Sequence, residues 1–304
     1  SSLIYGFTGS TNFQTISENL KLNDTGAIFG LVFIIIGLAF KISAVPFHMW
    51  TPDVYEGSPT GVTAYFATVP KIAGIAIIYR FCLEVFSNHQ FQWQQIIIFL
   101  SLASMYLGAI SAIVQSNIKR LLAYSSIGHI GYILIGLAAA NEEGIKAVII
   151  YLIIYVVMNL GLFAILLSTK VNDNYIEKIN DFSGLSKKKP LISLSLAILM
   201  FSMAGIPPFA GFFAKFYIFI SALKSNLIYL AILGVIASVI SAYYYLRIVK
   251  VMYFDEIKDK QISLKFSLPS LIILLVSIFI ICIYIFAPSV FANFAQNVSI
   301  AYFD

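Results

Sequence analysis

Long apolar stretches alternate with short polar segments along nearly the whole chain. Windows of roughly 20 apolar residues, the length that crosses a bilayer as a helix, predict eight spans after a short opening segment. We letter them A (24–50), B (58–83), C (94–115), D (121–140), E (144–170), F (189–222), G (227–253) and H (267–287). The pattern therefore predicts a single all-α integral membrane domain over residues 1–304, a polytopic helix bundle.

Two of these spans contain prolines close to a lysine. In span A, Pro46 follows Lys41, and in span F, Pro207 and Pro208 precede Lys215. Proline removes a backbone donor and clashes with the preceding turn, so the freed groups need partners that lipid does not offer. We therefore predict two discontinuous helices. Spans A and F are five spans apart and cross in opposite directions, as expected of an inverted five-helix repeat with one broken helix in each copy.

Three spans carry a face of small or polar residues. These faces are Ser101, Ser104, Gly108, Ser111 and Gln115 in span C; Tyr151, Tyr155 and Asn159 in span E; and Gly234, Ser238, Ser241 and Tyr245 in span G. Small residues let helices approach closely, and the same faces can hydrogen-bond water. An amide facing lipid would be unpaired, so the face of span E is predicted to point inward.

Composition supports the membrane interpretation. The chain has 60% hydrophobic and 11% charged residues and a mean hydropathy of +0.91, which excludes an ordinary soluble domain. Its net charge of +5 does not indicate nucleic-acid binding, because the basic residues lie in short loops. Cys82 and Cys282 are isolated, so neither a disulfide framework nor a thiolate metal site is predicted. The opening SSLIYGF is typical of the end of a helix, so we expect further helices before it.

The basic residues also predict the orientation of the chain. Of 19 lysines and arginines, 12 fall on one side of the predicted membrane, 4 on the other and 3 within spans. By the positive-inside rule, the loops 170–189 and 247–266 are cytoplasmic and the C-terminus faces outward.

Three lysines inside the spans are the first candidates for chemistry: Lys41, Lys71 and Lys215. An intramembrane lysine costs at least about 2.5 kcal/mol on insertion scales and usually marks an ion path. The alternative is a lysine that extends to the interface. Lys71 also shares a polar helix face with threonines, namely Thr60, Thr63 and Thr68.

His129 is the fourth candidate, with Ser125 four residues before it and Tyr132 three after. A lone histidine can equally be a satisfied core residue. All 14 carboxylates lie in loops or at span ends, so the lysines have no counter-ion at mid-membrane in this chain. They are either neutral much of the time or paired with groups from elsewhere. A desolvated lysine can release its proton, which arginine cannot, so these residues are predicted to relay protons.

Three segments, in order, resemble a known family. They are FKISAVPFHMWTPDVYEGSPTGVTAYFATVPKIAG, KRLLAYSSIGHIGY and MAGIPPFAGFFAKFY. Together they resemble the antiporter-like membrane subunits of proton-pumping NADH:quinone oxidoreductase, respiratory complex I, and the first segment with Lys215 favours the subunit N branch. The resemblance covers nearly the whole chain. It implies that Lys41, Lys71 and Lys215 are channel lysines and that His129 connects them.

The resemblance further implies a function. This chain would translocate protons, coupled to quinone reduction in other subunits, as a non-redox subunit without an active site of its own. NADH, flavin, iron–sulfur clusters and quinone are expected in partner subunits, and no cofactor or metal in this chain. The expected partners are other membrane subunits of complex I, the lipid bilayer, protons and internal water, and no nucleic acid. The expected location is the inner (plasma) membrane of a bacterium rather than a mitochondrial inner membrane.

The family pattern also sets expectations beyond this chain. It has fourteen helices, so spans A to H would be the last eight and Ser1 to Phe7 the end of the sixth. A glutamate on an earlier helix would pair with Lys41. Two other functions stay open: a subunit of a multi-subunit cation/proton antiporter or membrane hydrogenase, and a structural membrane subunit without a proton path.

Overall fold

The computed structural model describes residues 1–20, 25–171, 174–256 and 262–303, which form a helix bundle. The helices are α1 (Ser2–Thr8), α2 (Phe13–Asn19), α3 (Thr25–Ile42), α4 (Trp50–Gly57), α5 (Thr60–Arg80), α6 (Gln90–Ile113), α7 (Ile118–Ala139), α8 (Glu142–Ser168), α9 (Leu185–Lys188), α10 (Pro190–Ala204), α11 (Ala210–Lys224), α12 (Ile228–Phe254), α13 (Leu268–Ile283) and α14 (Pro288–Phe303). A π-helical turn (Phe81–Val85) extends α5, and 3₁₀ turns cover Ser87–His89 and Ile179–Phe182. The first residue of predicted span A and parts of the predicted 170–189 and 247–266 loops lie outside the described residues.

The described helices match the predicted spans in position. Six are long and apolar enough to cross a membrane: α3, α5 with its π-helical turn, α6, α7, α8 and α12. Span F contains two helices of 15 residues each, and span H contains α13, of 16 residues. The predicted all-α membrane bundle is confirmed, while the number of eight full spans stays a prediction.

Both predicted breaks are present. Helix α3 ends at Ile42 and α4 begins at Trp50, while α10 ends at Ala204 and α11 begins at Ala210. Each interruption contains the prolines on which the prediction rested. The two discontinuous helices are therefore confirmed.

Serine side chains satisfy backbone groups that the breaks set free. The backbone N–H of Val45 donates to Ser104 Oγ on α6 at 2.9 Å. In the second break the backbone N–H of Gly211 donates to Ser202 Oγ at 3.0 Å. Protein groups thus replace the partners that lipid does not offer, as expected for irregular backbone at membrane depth.

Helix α7 is the centre of the bundle, and 94% of its most apolar 18-residue segment is buried. Its contact with α6 is close because glycines meet there. A Cβ atom added to Gly108 of α6 would lie 2.7 Å from the backbone nitrogen of Gly128. The small residues of span C therefore serve close helix packing, which is the structural role predicted for them.

A small antiparallel sheet is an exception to the all-helical expectation. Strand β1 (Thr169–Val171) pairs with both β2 (Asn174–Tyr175) and β3 (Ile262–Leu264). The sheet joins the segment after α8 to the segment before α13. The two loops predicted to share one side of the membrane are thus hydrogen-bonded to each other.

The C-terminal helix α14 was not predicted. It bends away from α13 by 96° and packs on α8. The side chain of Gln296 contacts Lys146 and donates to Glu142 Oε1 at 2.7 Å. Because α13 ends in a turn followed by a proline, the apolar pattern ended there and the sequence indicated only a tail.

Candidate functional site

The candidate site is built on the middle of α7, which carries His129 in the buried core. Asn117 caps the start of this helix, since its side chain accepts from the backbone N–H groups of Lys119 at 2.9 Å and Arg120 at 3.2 Å. The imidazole of His129 is only 3% exposed. The polar side chains of α7 therefore meet groups from the helices around it and not lipid.

Lys71 reaches α7 from α5. It is 1% exposed, and its Nζ donates to Ser126 Oγ at 2.6 Å. The hydroxyl of Ser126 donates in turn to the Ala123 carbonyl at 2.9 Å. The Lys71 ammonium also lies 5.7 Å from the centre of the Tyr55 ring, within range of a cation–π interaction.

His129 connects α7 to α8 and α12. Its Nδ1 lies 2.6 Å from the Tyr151 hydroxyl and its Nε2 lies 3.0 Å from the Tyr245 hydroxyl. The Tyr245 hydroxyl also lies 2.5 Å from Ser125 Oγ. In a neutral imidazole one ring nitrogen donates and the other accepts, so both nitrogens of His129 have suitable partners. The predicted inward face of span E is confirmed by Tyr151.

Lys215 is the second fully buried lysine, at 4% exposure on α11. Its Nζ donates to the Ala204 carbonyl, at the end of α10, and to Ser238 Oγ of α12, both at 2.9 Å. It also lies 4.9 Å from the centre of the Tyr132 ring on α7. Residues from three other helices therefore converge on this ammonium.

Lys41 differs from the other two lysines, because it is exposed on the last turn of α3. The expected burial thus holds for Lys71 and Lys215 only. Its Cγ would lie 3.8 Å from a Cβ added to Gly74, which is one turn beyond Lys71 on α5. Lys41 consequently lies beside the buried site, at the surface of the described bundle.

The two buried ammonium groups are solvated without carboxylates. No aspartate or glutamate in the described ranges is buried. Hydroxyls, a backbone carbonyl and aromatic faces surround the ammonium groups in place of carboxylates. A buried charge without an opposite charge beside it is costly. The gap lined by His129 and Lys215 is too small for a water molecule. The site is closely packed in this conformation.

Sequence reasoning missed some contacts of the site. Ser126 lies three residues before His129 on one helix face, so the helical period offered a signal for it. Tyr245 appeared in the small-residue face of span G but not as a partner of His129. The ion pairs of Arg120 Nη1 with Asp53, at 2.6 Å, and with Glu56, at 2.9 Å, were also not predicted, because nothing in the sequence indicates that α4 and α7 meet.

The fold and the site define a class: a multi-pass α-helical membrane protein with two broken helices and buried basic side chains around one central helix. Residues 1–241 match the family described as NADH:quinone oxidoreductase/Mrp antiporter, transmembrane. The chain belongs to this family, which confirms the resemblance found in its sequence.

Relatives and solved structures agree with this assignment. NADH-quinone oxidoreductase subunit N of Pelagibacter ubique is 57% identical over 285 residues, which is 91% of this chain and 60% of the relative. A chain of respiratory complex I from Thermus thermophilus with bound aureothin superimposes with a TM-score of 0.79 at 29% identity, over 96% of this chain and 63% of that one. A chain of the Mrp complex from Dietzia sp. shares the fold, with a TM-score of 0.85 at 22% identity over 98% and 63%. The chain thus spans about 60% of the length of such relatives.

Proposed function

We propose that this chain is part of an antiporter-like membrane subunit of NADH:quinone oxidoreductase that moves protons through Lys41, Lys71, His129 and Lys215. Quinone reduction in other subunits drives the movement. NADH, flavin, iron–sulfur clusters and quinone are bound by those subunits, and this chain has no active site of its own. The subunit is located in the inner (plasma) membrane of a bacterium, beside other membrane subunits of the complex.

One observation carries the proposal: a single buried helix contacts two buried lysines and carries a buried histidine between the two contact positions. Lys71 contacts α7 at Ser126, and Lys215 packs on the same helix at Tyr132. His129 lies between these two positions in the sequence of α7. A purely structural role gives no reason to bury two ammonium groups away from any carboxylate of the described chain, since apolar residues of similar volume would be cheaper.

Proton transfer along this line needs few steps. A proton leaves Lys71 Nζ through the Ser126 hydroxyl, or through a water beside it, and arrives on a ring nitrogen of His129. From there it passes the Tyr245 hydroxyl or a second water and protonates Lys215. Because the gap between His129 and Lys215 is too small for a water molecule, a second step through water requires side chains to move. This movement separates the two steps.

Electrostatics favours one proton at a time on neighbouring groups. A positive charge on His129 disfavours a positive charge on either lysine, because like charges in a poorly solvated site repel. The arrival of a proton at one end therefore promotes its release at the other. The unpaired buried hydroxyls of Ser43, in the first break, and Thr51, in the first turn of α4, are further groups that could hold water within the described chain.

The test is Lys71→Met in the full-length subunit within its complex, reconstituted in vesicles. Proton pumping and NADH:quinone electron transfer are measured on the same vesicles. We expect pumping to be lost while the complex still assembles. Lys119→Met is the matched control, since Lys119 is also buried, at 7% exposure, but donates to the Ser58 carbonyl away from the line.

The outcomes separate the alternatives. If Lys71→Met pumps as well as the unmodified complex, the chain is a structural subunit. If the full-length protein purifies with sodium transport and without redox subunits, it belongs to a cation/proton antiporter. Relatives that are 50–57% identical are named NADH-quinone oxidoreductase subunit N, which favours the proton-pumping subunit over these two alternatives.

A further inference from the structure

An open groove lies at the end of α12, on the side of the bundle that carries the small sheet and α9. Its volume is about 490 Å³, and it is lined by Asn180, Tyr243, Leu246, Arg247, Lys250 and Asp255. The groove shares no lining residue with the gap between His129 and Lys215 and takes no part in the proposed proton path.

The polar wall of the groove is held in place. Arg247 Nη1 donates to the carbonyl of Ile113, the last residue of α6, at 2.8 Å. It also donates to the carbonyl of Gln115, two residues after that helix, at 3.1 Å. Lys250 pairs with Asp255 at 2.5 Å, and their side chains are 64% and 31% exposed. With two basic groups against one acidic group, the groove carries a net positive charge.

An exposed apolar ridge leads into this groove. Outward-facing residues recur on α12 at helical spacing: Ile232, Val235, Ile236, Val239, Tyr243 and Leu246. From position 232 to position 246 the ridge is about 21 Å long at the rise of an α-helix. Tyr243 lies where this ridge meets the basic groove, and tyrosine is enriched at that depth of a membrane.

We propose that the groove binds the phosphate headgroup of an anionic phospholipid, with an acyl chain lying along the α12 ridge. Basic pockets at the end of a membrane helix recognise anionic headgroups, and a guanidinium fixed by other contacts can offer its remaining donors to phosphate oxygens. Helix α9, which packs on α12 and carries the exposed Lys187, adds positive charge on the same side. A zwitterionic lipid brings a cationic group together with its phosphate, so its headgroup has no net charge to match that of the groove.

The experiment uses the full-length protein in phosphatidylcholine vesicles with Tyr243→Trp as a fluorescent reporter. Part of the phosphatidylcholine is replaced by brominated phosphatidylglycerol or by brominated phosphatidylcholine, and bromine quenches the reporter on contact. Subtracting the emission of the protein that retains Tyr243 isolates the reporter from other tryptophans. The ratio of quenching by the two brominated lipids measures the preference for the anionic headgroup.

Two variants in the reporter background should change this ratio in opposite directions. Lys250→Gln removes a positive charge and is expected to lower the preference about fivefold, and Asp255→Asn is expected to raise it by a similar factor. Lys265→Gln, which removes an exposed basic group outside the groove, is the control and should leave the ratio unchanged. Opposite shifts cannot result from misfolding alone.

Three results would overturn the proposal. Equal quenching ratios in the Lys250, Asp255 and Lys265 variants would mean that the groove does not distinguish an anionic headgroup from a zwitterionic one. No quenching by either brominated lipid would mean that protein, not lipid, covers the groove. A preference abolished by inorganic phosphate, but not by chloride at equal ionic strength, would indicate a site for the free anion without the acyl chain.

Discussion

Lys215→Met tests whether the buried ammonium of the second broken helix is a proton carrier. Methionine keeps much of the length and apolar volume of the lysine stem but removes its charge and its three donors. The Ala204 carbonyl and Ser238 Oγ, each 2.9 Å from Nζ, lose a partner. The change therefore separates the role of the charge from that of the packed side chain.

The structure allows the two effects on stability to be compared. Leaving the Ala204 carbonyl without its donor costs about 1–3 kcal/mol. Removing a buried ammonium that has no carboxylate partner in the described chain releases a desolvation penalty of several kcal/mol. Because these terms oppose each other and are of similar size, we expect the variant complex to assemble. Pumping, in contrast, should fall by about 100-fold or more, the usual contribution of a positioned proton-transfer group.

The assay compares three variants of the full-length subunit in reconstituted vesicles. Lys215→Arg retains the charge but cannot release its proton, so it should assemble and fail to pump like Lys215→Met. Lys224→Met is the matched control on the same helix. Its side chain is 54% exposed and pairs with Glu143 at 3.1 Å, so its loss should cost at most about 1 kcal/mol and leave pumping unchanged.

Two results would refute the reasoning. Full pumping by Lys215→Met would show that no proton needs to reside at this position. Full pumping by Lys215→Arg with none by Lys215→Met would show that a fixed positive charge suffices, and the residue would then be an electrostatic element and not a carrier.

Three further predictions concern orientation, coupling and packing. A cysteine placed at Asn180 should be labelled from the cytoplasmic face and not from outside intact cells. Lys41 should be energetically coupled to a carboxylate elsewhere in the full-length protein, since unit charges ~4 Å apart interact by about 4 kcal/mol at an effective dielectric of 20. Additive losses of pumping in a double-mutant cycle would contradict this coupling. Gly108→Ala should lower thermal stability by about 1–3 kcal/mol because its Cβ would meet backbone at 2.7 Å. Gly128→Ala, across the same contact but with nothing within 4 Å of the added atom, should not.

The elements of the fold follow from local sequence, and the breaks are the clearest case. Pro46 and Pro207 interrupt apolar stretches, and the chain cannot continue a helix through them without losing hydrogen bonds. The faces of spans C, E and G were also predictable, because the helical period decides which residues point the same way. The helical period alone assigns Ser104 and Ser238 to those faces.

The sequence does not indicate which helix faces pack against each other. Ser126 became the partner of Lys71 only because α5 packs beside α7, and such pairing depends on the whole bundle. The exposure of Lys41 has the same origin, since burial depends on neighbours and not on the apolar character of its own helix. Helix α14 was missed because its mixed polarity gave no apolar stretch to recognise.

The second break has an electrostatic consequence beyond providing room. The aligned peptide dipoles of α10 place about half a negative elementary charge at its C-terminal end, and the Ala204 carbonyl to which Lys215 donates belongs to that end. The backbone therefore acts as the counter-charge that no buried carboxylate of the described chain supplies. A side-chain substitution cannot remove this partner, but one that shifts the turn can. At Gly205, where φ is +84° and an added Cβ would lie 2.9 Å from Lys215 Cδ, any other residue would displace the ammonium from the helix end that stabilises it.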